Sequence, residues 1–509
     1  MQLNIRKSRL TPALFILAAL VAPGVSRGQT QPPVSKQTAA DPATACACEA
    51  SPLPDVLATV NGVQITRQDI SPAVQKRVAD LQQQVVEARR RELALQINSA
   101  LLEAEAKKRG TTAVKLLEAE VIARAQEPSE ADAQKFYDEN KARINAEFKT
   151  VKDDVLAYLR DMRRRDQAAK FSDTLRAAAQ LKRLAAEATP PSTAADLARV
   201  LATVNGRNIT SANVEDALLP LVFGVQEQVY KLRTQEVDLK VNDLLLNQEA
   251  QKRGVTARAL LDAEVVSKIP AVTEADAQKF YDENKERING DFAQTKEQLT
   301  QYLREVAERK TLTDFAARMR AAAQVRTFLS APTAPVYKIA TEGQPSKGNP
   351  AASVTVVEFT DFQCPSCAAA QPVLERIAAE YADRVHVVVR DYPLSQHADA
   401  QKAAEAAEAA REQGKYWEYA TLLYQNQSAL AADKLKEYAS RVGLDRTKFD
   451  AALDSGSFAD SVRRDVHDGE RAGVAGTPTV FVNGVRVERA TYDTLKAAID
   501  AALKTRRTE

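Results

Sequence analysis

The chain has 509 residues, with 70 lysines and arginines against 68 aspartates and glutamates. This near balance of charge excludes the basic surface that nucleic-acid-binding domains carry, so we expect no nucleic-acid partner. The length predicts about three domains. Charged residues make up 27% and aromatic residues 6% of the chain, and with its alanine-rich runs this favours a mostly helical, multidomain protein.

The N-terminus has the pattern of an export signal. Three cations precede the apolar run 13–22, and small residues at Ser26 and Gly28 form a cleavage motif. Residues 1–28 are therefore predicted to be a signal peptide, and an uncleaved membrane anchor is the alternative. We expect an exported protein, periplasmic or otherwise extracytoplasmic, because an oxidising compartment suits the cysteine pattern described below.

The segment 29–54 is polar and rich in Pro, Ala and Thr, which predicts a flexible tether. It contains Cys46 and Cys48. Three interpretations are open for this pair. It is either a second redox pair, or a resolving pair that reaches the redox site described below, or two incidental cysteines that pair with each other or with nothing. A Cys-x-Cys bridge would be strained and therefore reducible.

A duplicated module follows the tether. LATVNG and EADAQKFYDEN each occur twice, 144 residues apart (201 − 57 and 274 − 130). The register holds without an insertion, so we place one module at 55–188 and a second at 199–329. Each opens on a predicted β-hairpin with an Asn-Gly turn, at Asn61 and at Asn205.

Helices are predicted after each hairpin. Ser129 and Thr273 begin capping boxes at equivalent positions of the two modules. Gly110 and Gly254 each follow a Lys-Arg pair, which is typical of a helix C-terminus.

Both modules resemble the N-terminal chaperone domain of SurA-like, parvulin-type foldases. The resemblance rests on VNGVQITRQDI, LLEAEAKKRG and EADAQKFYDENK, and no parvulin isomerase signature accompanies them. It implies tandem, mostly α modules that bind unfolded proteins in apolar grooves. A spacer or dimerisation module without client binding is the alternative.

The segment 330–350 is rich in proline and glycine, which predicts a linker between the modules and a C-terminal domain.

The sequence 354–367, VTVVEFTDFQCPSC, combines a strand pattern with Cys364-Pro365-Ser366-Cys367, and a helix-forming run follows. A Cys-x-x-Cys between a strand and a helix is the arrangement of thiol–disulfide redox sites. The helix N-terminus favours the thiolate of the first cysteine, and Pro365 suits the first helical turn. A zinc half-site is the alternative, although it needs two further ligands and no second pair follows.

EFTDFQCPSC and GTPTVFVNG, from Gly476 to Gly484, resemble a DsbA-like member of the thioredoxin superfamily. DYPLSQHADA and YWEYATLLYQNQ resemble the segments around the helical insertion of that family. The resemblance implies an α/β thioredoxin fold with a helical insertion, in a domain that we place at 351–509. Cys364 would be the exposed nucleophile and Cys367 the resolving thiol.

The same resemblance assigns supporting residues. Thr477 and Pro478 match the cis-proline that faces the disulfide, with a plain turn proline as the alternative. Glu358 matches a buried acidic residue beneath the site, with an exposed position on an edge strand as the alternative. His397 is predicted to be structural, because the histidines have no metal or triad spacing.

The predicted function is an exported thiol–disulfide oxidoreductase that acts on unfolded or cysteine-containing proteins. No metal and no prosthetic group are expected, because the Cys364–Cys367 pair itself carries the electrons. The sequence leaves oxidase and isomerase types open. The alternatives are a holdase-type chaperone with secondary redox activity, and a reductase kept reduced by a membrane redox partner.

Overall fold

The computed structural model describes residues 53–144, 146–184, 191 and 194–505. The predicted signal peptide and nearly all of the predicted tether, with Cys46 and Cys48, lie outside the described residues. Within the described part, helices dominate and the strands form three sheets.

The first repeat begins with a hairpin and continues as helices. Its elements are β1 (Val56–Val60), β2 (Val63–Thr66), α1 (Pro72–Lys108), α2 (Ala113–Leu117), α3 (Glu130–Asn140), α4 (Phe148–Ala178) and β3 (Leu181–Arg183). The predictions from local sequence are confirmed here. Asn61 has a φ of 50° in the hairpin turn, Ser129 caps α3, and Gly110 follows the end of α1 with a φ of 63°.

The second repeat has the same order of elements. A short helix α5 (Ala194–Leu197) precedes β4 (Val200–Val204), β5 (Arg207–Thr210), α6 (Ser211–Lys252), α7 (Ala257–Glu264), α8 (Glu274–Asn284), α9 (Phe292–Ala321) and β6 (Val325–Thr327). Thr273 caps α8, as predicted from the equivalent Ser129.

The two repeats exchange strands. Strand β1 of the first repeat pairs with β6, which ends the second repeat, and β4 of the second pairs with β3, which ends the first. The junctions are equivalent, because the Gln324 N–H donates to the Asn61 side chain and the Gln180 N–H to the Asn205 side chain, both at 2.9 Å. The period-2 pattern predicted both hairpins, but it carries no information about which third strand joins each.

The described residues divide into two compact units that do not follow the repeat boundaries. The first unit contains the described residues of Val85–Phe223 and Thr333–Glu509. The second unit contains the described residues of Cys48–Gln84 and Gly224–Pro332. Each unit takes chain from both repeats, because each three-stranded sheet does so.

Residues from 346 onward form an α/β domain around a five-stranded sheet of order β11-β10-β8-β9-β7, in which only β8 and β9 are parallel. Its elements are β7 (Ser346–Gly348), β8 (Val354–Thr360), α10 (Pro365–Tyr381), β9 (Val385–Asp391), α11 (Ala400–Arg411), α12 (Tyr416–Gln425), α13 (Ala432–Arg441), α14 (Arg446–Ser455), α15 (Ala459–Arg471), β10 (Thr479–Val482), β11 (Val485–Val487) and α16 (Tyr492–Thr505).

Helices α10 and α16 pack on the valines of β8, β9 and β10 in one apolar cluster. The two central strands are buried almost throughout, which explains their nearly continuous apolar runs. Helices α11 to α15 lie between β9 and β10 in the chain, and α11 to α14 enclose a second cluster built on small alanines and the rings of Tyr416, Tyr419 and Phe449. The predicted α/β fold with a helical insertion is confirmed.

Most of the segment predicted as a linker, 330–350, lies on this domain. The Tyr337 N–H donates to the Gly484 carbonyl at 2.8 Å, and Arg411 donates to the Gly343 carbonyl at 2.8 Å. Strand β7, from the same segment, pairs with β9. A count of prolines and glycines does not reveal such partners, because it says nothing about which backbone groups are bonded.

Candidate active site

The loop between β8 and α10 places both cysteines at the start of the helix. Cys364 is the N-cap residue with an extended backbone, and Pro365 is the first helical residue, where its missing N–H has no helical partner to lose. The Cys364 N–H donates to the Asp361 carbonyl at 3.1 Å. Cys367 lies one turn further on, and both cysteines are free thiols.

The two sulfurs differ in exposure. Cys364 is 7% exposed and Cys367 is 0% exposed. The sequence predicted an exposed Cys364, but the loop before β10 lies over it, and Cys364 Sγ donates to the Thr477 carbonyl at 3.4 Å. Cys364 is still the more exposed of the two sulfurs.

The residue before Pro478 faces both sulfurs. The Thr477–Pro478 peptide bond is cis. The Thr477 carbonyl accepts from Cys364, and its hydroxyl acts to lower the pKa of Cys367. This loop therefore presents a carbonyl to the first cysteine, whereas Thr477 Oγ1 is buried without a hydrogen-bond partner among the described residues.

Glu358 is a buried carboxyl beneath the cysteines. It lies in β8 and is 1% exposed, and neither carboxylate oxygen has a hydrogen-bond partner among the described residues. Burial raises the pKa of Glu358 to about 8, and the nearby Thr360 hydroxyl opposes this rise. Burial and then the charge of Glu358 raise the pKa of Cys367 to about 12. A carboxyl that titrates near neutral pH beside a thiol is suited to exchange a proton with it.

Replacing Glu358 by leucine should stabilise the α/β domain near neutral pH. The pKa of Glu358 is about 8 in the folded chain and 4.5 in its ordinary range. The stability contributed by the protonated carboxyl is therefore complete below pH 4.5, and it is lost as pH rises from 4.5 to about 8. At about pH 7 that loss amounts to about 3 kcal/mol. Glu358→Leu should regain about this much and flatten the pH dependence.

Denaturant unfolding of the full chain measures this effect through the fluorescence of Trp417, the single tryptophan, which lies in α12 of the same domain. Glu418→Leu is the control. Glu418 lies in α12 beside Trp417 and is 55% exposed, so its replacement should leave the pH dependence of stability unchanged. If Glu358→Leu lost as much stability as the parent between about pH 5 and about pH 8, the burial argument would be wrong.

Asp361, which sequence reasoning missed, anchors the loop before Cys364. Its carboxylate accepts from the Gln363 N–H at 2.7 Å and the Leu394 N–H at 2.8 Å, and lies 2.7 Å from His397 Nδ1. His397 thus has a structural partner next to the site. The two residues are 36 positions apart, so the local sequence gave no signal of their contact.

The end of α12 also contacts the site. The Gln427 side chain donates to the Phe362 carbonyl at 2.9 Å and to the Cys364 carbonyl at 2.8 Å. Tyr424 Oη lies 2.7 Å from Thr360 Oγ1. The segment YWEYATLLYQNQ carries both side chains, and its resemblance to a known family was the one available signal.

The described residues carry no sign of a metal centre or of a membrane-spanning helix. No group of three or more His, Cys, Asp or Glu side chains in the described ranges is arranged to hold a metal ion. Of the helices described, none is both long enough and apolar enough to cross a membrane.

A sequence-family model described as thioredoxin matches residues 340–501. The match coincides with the five-stranded sheet and with the two cysteines at the start of α10. Residues 340–501 form a thioredoxin domain. The resemblance stated for this part of the chain is confirmed at the level of the superfamily.

The chain spans about a quarter of the length of the curated relatives that it matches. The Na(+)/H(+) antiporter NhaA 3 of Salinispora tropica is 43% identical over 141 residues, which are 28% of this chain and 22% of that protein. The Na(+)/H(+) antiporter NhaA of Herminiimonas arsenicoxydans is 36% identical over 165 residues, which are 32% of this chain and 26% of that protein.

Similar solved structures cover about a third of this chain. BdbD from Bacillus subtilis, in its oxidised form, is 26% identical, covers 34% of this chain and 98% of its own, and has a TM-score of 0.32. A thioredoxin-like oxidoreductase from Silicibacter pomeroyi is 28% identical, covers 32% of this chain and 94% of its own, and has a TM-score of 0.29.

Proposed function

We propose that the thioredoxin domain exchanges disulfides with cysteine-containing protein clients through Cys364 and Cys367. One observation carries the proposal. Two thiols at the start of α10 face the cis Thr477–Pro478 loop, above a buried Glu358 whose pKa is raised to about 8. A zinc site would need ligands beyond the two thiols, and no group of three or more His, Cys, Asp or Glu side chains in the described ranges is arranged to hold a metal. Thiol exchange, in contrast, uses a group that gives and takes a proton.

The oxidising direction starts from a Cys364–Cys367 disulfide. A client thiolate attacks the Cys364 sulfur, so that a client–Cys364 bond forms while the Cys364–Cys367 bond breaks. Cys367 leaves as a thiolate and takes the proton of Glu358, which regains one from water. A second client thiolate then attacks the client sulfur, which releases Cys364 as a thiolate and completes the client disulfide. An external disulfide or a membrane redox partner must then reoxidise the pair.

A reductase or isomerase would use the same mixed disulfide in the opposite direction. Cys364 attacks a client disulfide, and Cys367 then attacks Cys364 and releases the client thiolate. The reduction potential separates these types, with about −120 mV typical of an oxidant and about −270 mV of a reductant.

The proposal is tested by mixing the oxidised full chain with a reduced, multi-cysteine protein and counting client thiols over time. A loss of client thiols that matches the reduction of Cys364 and Cys367 supports exchange. Unchanged client thiols would contradict it.

We also propose an exported location. A disulfide such as Cys364–Cys367 persists in an oxidising compartment, which agrees with the signal peptide predicted at 1–28. Fractionation of cells that produce the full chain tests this, with an extracytoplasmic protein as the expected result.

We further propose that the repeats bind unfolded clients, as the predicted SurA-like character implies. The supporting observation is one apolar patch per repeat, at equivalent positions. The patches consist of Phe136, Tyr158 and Met162 in the first repeat, and of Phe280, Tyr302 and Val306 in the second. Within them the Phe136 and Tyr158 rings are 5.2 Å apart, and the Phe280 and Tyr302 rings 5.5 Å apart.

The outer members of both patches are exposed to solvent. Tyr158 and Met162 are 38% and 40% exposed in the first repeat. Tyr302 and Val306 are 50% and 39% exposed in the second. Aromatic rings with one apolar face and a polar tip are suited to hold apolar segments of many sequences.

Replacing both tyrosines by serine should weaken client holding. Each lost ring removes about 1 kcal/mol of contact, so the double variant Tyr158→Ser, Tyr302→Ser should need several-fold more protein to suppress aggregation. Light scattering of an aggregating, cysteine-free client measures this without redox chemistry. Leu239→Ser with Leu312→Ser is the matched control, because these leucines are 60% and 46% exposed outside the patches. Equal effects of the two pairs would leave the repeats as a spacer or dimerisation module.

A further inference from the structure

Thr360, the last residue of β8, lies beside the two groups that exchange a proton. It follows Glu358 by two positions, so both side chains leave the strand on the same face, and each is 1% exposed. The Thr360 hydroxyl acts to lower the pKa of Glu358 and that of Cys367. The hydroxyl therefore lies near both groups of the proposed proton transfer, although it makes no hydrogen bond to either Glu358 oxygen.

The partner of this hydroxyl is Tyr424. Tyr424 Oη lies 2.7 Å from Thr360 Oγ1, and the tyrosine ring packs against Phe362 with the ring centroids 5.0 Å apart. Burial and then the charges of Glu358 and Cys367 keep the pKa of Tyr424 well above its ordinary value, so the phenol stays protonated. Either oxygen can be the donor in this bond; when Tyr424 donates, Thr360 Oγ1 accepts and the hydrogen of Thr360 is left to point toward Cys367.

The tyrosine is held in place from the same stretch of chain. Gln427, three residues further on, donates to the carbonyls of Phe362 and Cys364. The end of α12 is thereby attached to the loop that carries the first cysteine. A phenol fixed in this way orients the threonine hydroxyl at little entropic cost when the charge at the site changes.

We propose that Tyr424 is a positioning residue for the resolving thiol, acting through Thr360. This rests on the proposed disulfide exchange. When Cys367 gives its proton to the Glu358 carboxylate, the Thr360 hydroxyl donates to the new thiolate. That thiolate then attacks Cys364, the Cys364–Cys367 bond forms, and the Cys364–client bond breaks with release of the client thiolate.

Several titratable groups face this hydroxyl pair from the surrounding elements. Glu358 acts from β8, Cys367 from α10, Asp391 from β9 and Tyr416 from the start of α12. All four side chains remain when the Tyr424 hydroxyl is removed, although that hydroxyl acts to raise the pKa of Tyr416. A change in pH profile that Thr360→Val reproduces therefore reports the Tyr424–Thr360 bond.

The test uses the full chain with Cys46→Ser and Cys48→Ser as the parent, and an aromatic disulfide, 5,5′-dithiobis(2-nitrobenzoate), as the probe. The Cys364 thiolate attacks the probe and releases one coloured thiolate. Cys367 then attacks Cys364 and releases the second, so the two phases report the two cysteines separately. With the probe in excess, the second phase measures the resolving step.

Tyr424→Phe should leave the first phase within about twofold of the parent. The second phase should slow about tenfold at neutral pH, and the midpoint of its rise with pH should move up by about one unit. Thr360→Val should reproduce this result, and the double variant should be no slower than either single variant, since both remove one hydrogen-bond relay. If Tyr424→Phe does not fold, Thr360→Val alone tests the proposal, with the same expected slowing of the second phase.

Tyr419→Phe is the matched control. Tyr419 is a buried tyrosine of the same helix, and its hydroxyl donates to the Leu435 carbonyl at 2.8 Å, inside the insertion. Its removal should change neither phase. A second phase with the same rate and pH midpoint in Tyr424→Phe and Tyr419→Phe would overturn the proposal. Absence of any second phase in the parent would instead overturn the proposed exchange function.

Discussion

Cys364→Ser is expected to slow disulfide exchange with a protein client by at least about a thousandfold. A serine hydroxyl is not ionised at neutral pH and forms no bond to a client sulfur that can exchange. Cys367 cannot replace it, because it is 0% exposed and burial with the charge of Glu358 raises its pKa to about 12. The fold should be retained, since sulfur and oxygen differ little in size.

The rate of client thiol oxidation by the oxidised protein measures this loss, and Trp417 fluorescence checks the fold. The double variant Cys46→Ser, Cys48→Ser is the control and should keep the parent rate. A large loss in that control would instead favour the interpretation of these two cysteines as a second redox pair. Cys364→Ser with the parent rate would show that the site is elsewhere.

Arg390→Met is expected to destabilise the thioredoxin domain by about 3–5 kcal/mol. The Arg390 side chain is 2% exposed, and its Nη2 lies 2.8 Å from Asp465 and 2.7 Å from Asp468. Two further buried carboxyls, Asp391 and Glu408, belong to the same cluster, where burial and the neighbouring carboxylates raise their pKa. Removing the cation leaves Asp465 without its ion-pair partner, while Arg411 stays beside Glu408.

The loss should depend on pH. Arg390 acts to lower the pKa of Asp391 and Asp465, so its removal raises both further. Protonation then rescues the variant at low pH, and the destabilisation grows as pH rises through the raised values. Arg446→Met is the control, because Arg446 is 40% exposed in its pair with Asp450 and its loss should cost much less stability than the loss of Arg390. The free energy of unfolding of both variants is measured through Trp417 fluorescence. Equal losses of stability in Arg390→Met and Arg446→Met would contradict the argument.

Features that depend on neighbouring residues could be predicted from the sequence. The hairpin turn at Asn61, the cap at Ser129 and the strand-to-helix placement of Cys364 each follow from a few adjacent residues. Contacts between distant residues could not. Gln324 meets Asn61 across 263 positions, and Tyr424 meets Thr360 across 64.

The burial of the site residues could be predicted only in part from the sequence. The apolar run around Glu358 predicted a strand, but only the tertiary fold, with β8 between β9 and β10 and helix α10 packed on one face of the sheet, removes the carboxyl from water. The exposure of Cys364 depended on the loop at Thr477, which is 113 positions away. Residue types therefore predicted the chemistry of the site, while the topology determined its electrostatics.

Trapping a mixed disulfide tests the central claim most directly. The reduced full chain carrying Cys367→Ser is mixed with a client that contains a disulfide, the reaction is stopped with acid, and the linked residues are identified by mass spectrometry. Cys364 should attack the client disulfide and stay bound to it, because the resolving thiol is missing, and a reductant should release the client. A client attached through Cys364 is the predicted result. The absence of any adduct, or adducts only at Cys46 and Cys48, would contradict the account.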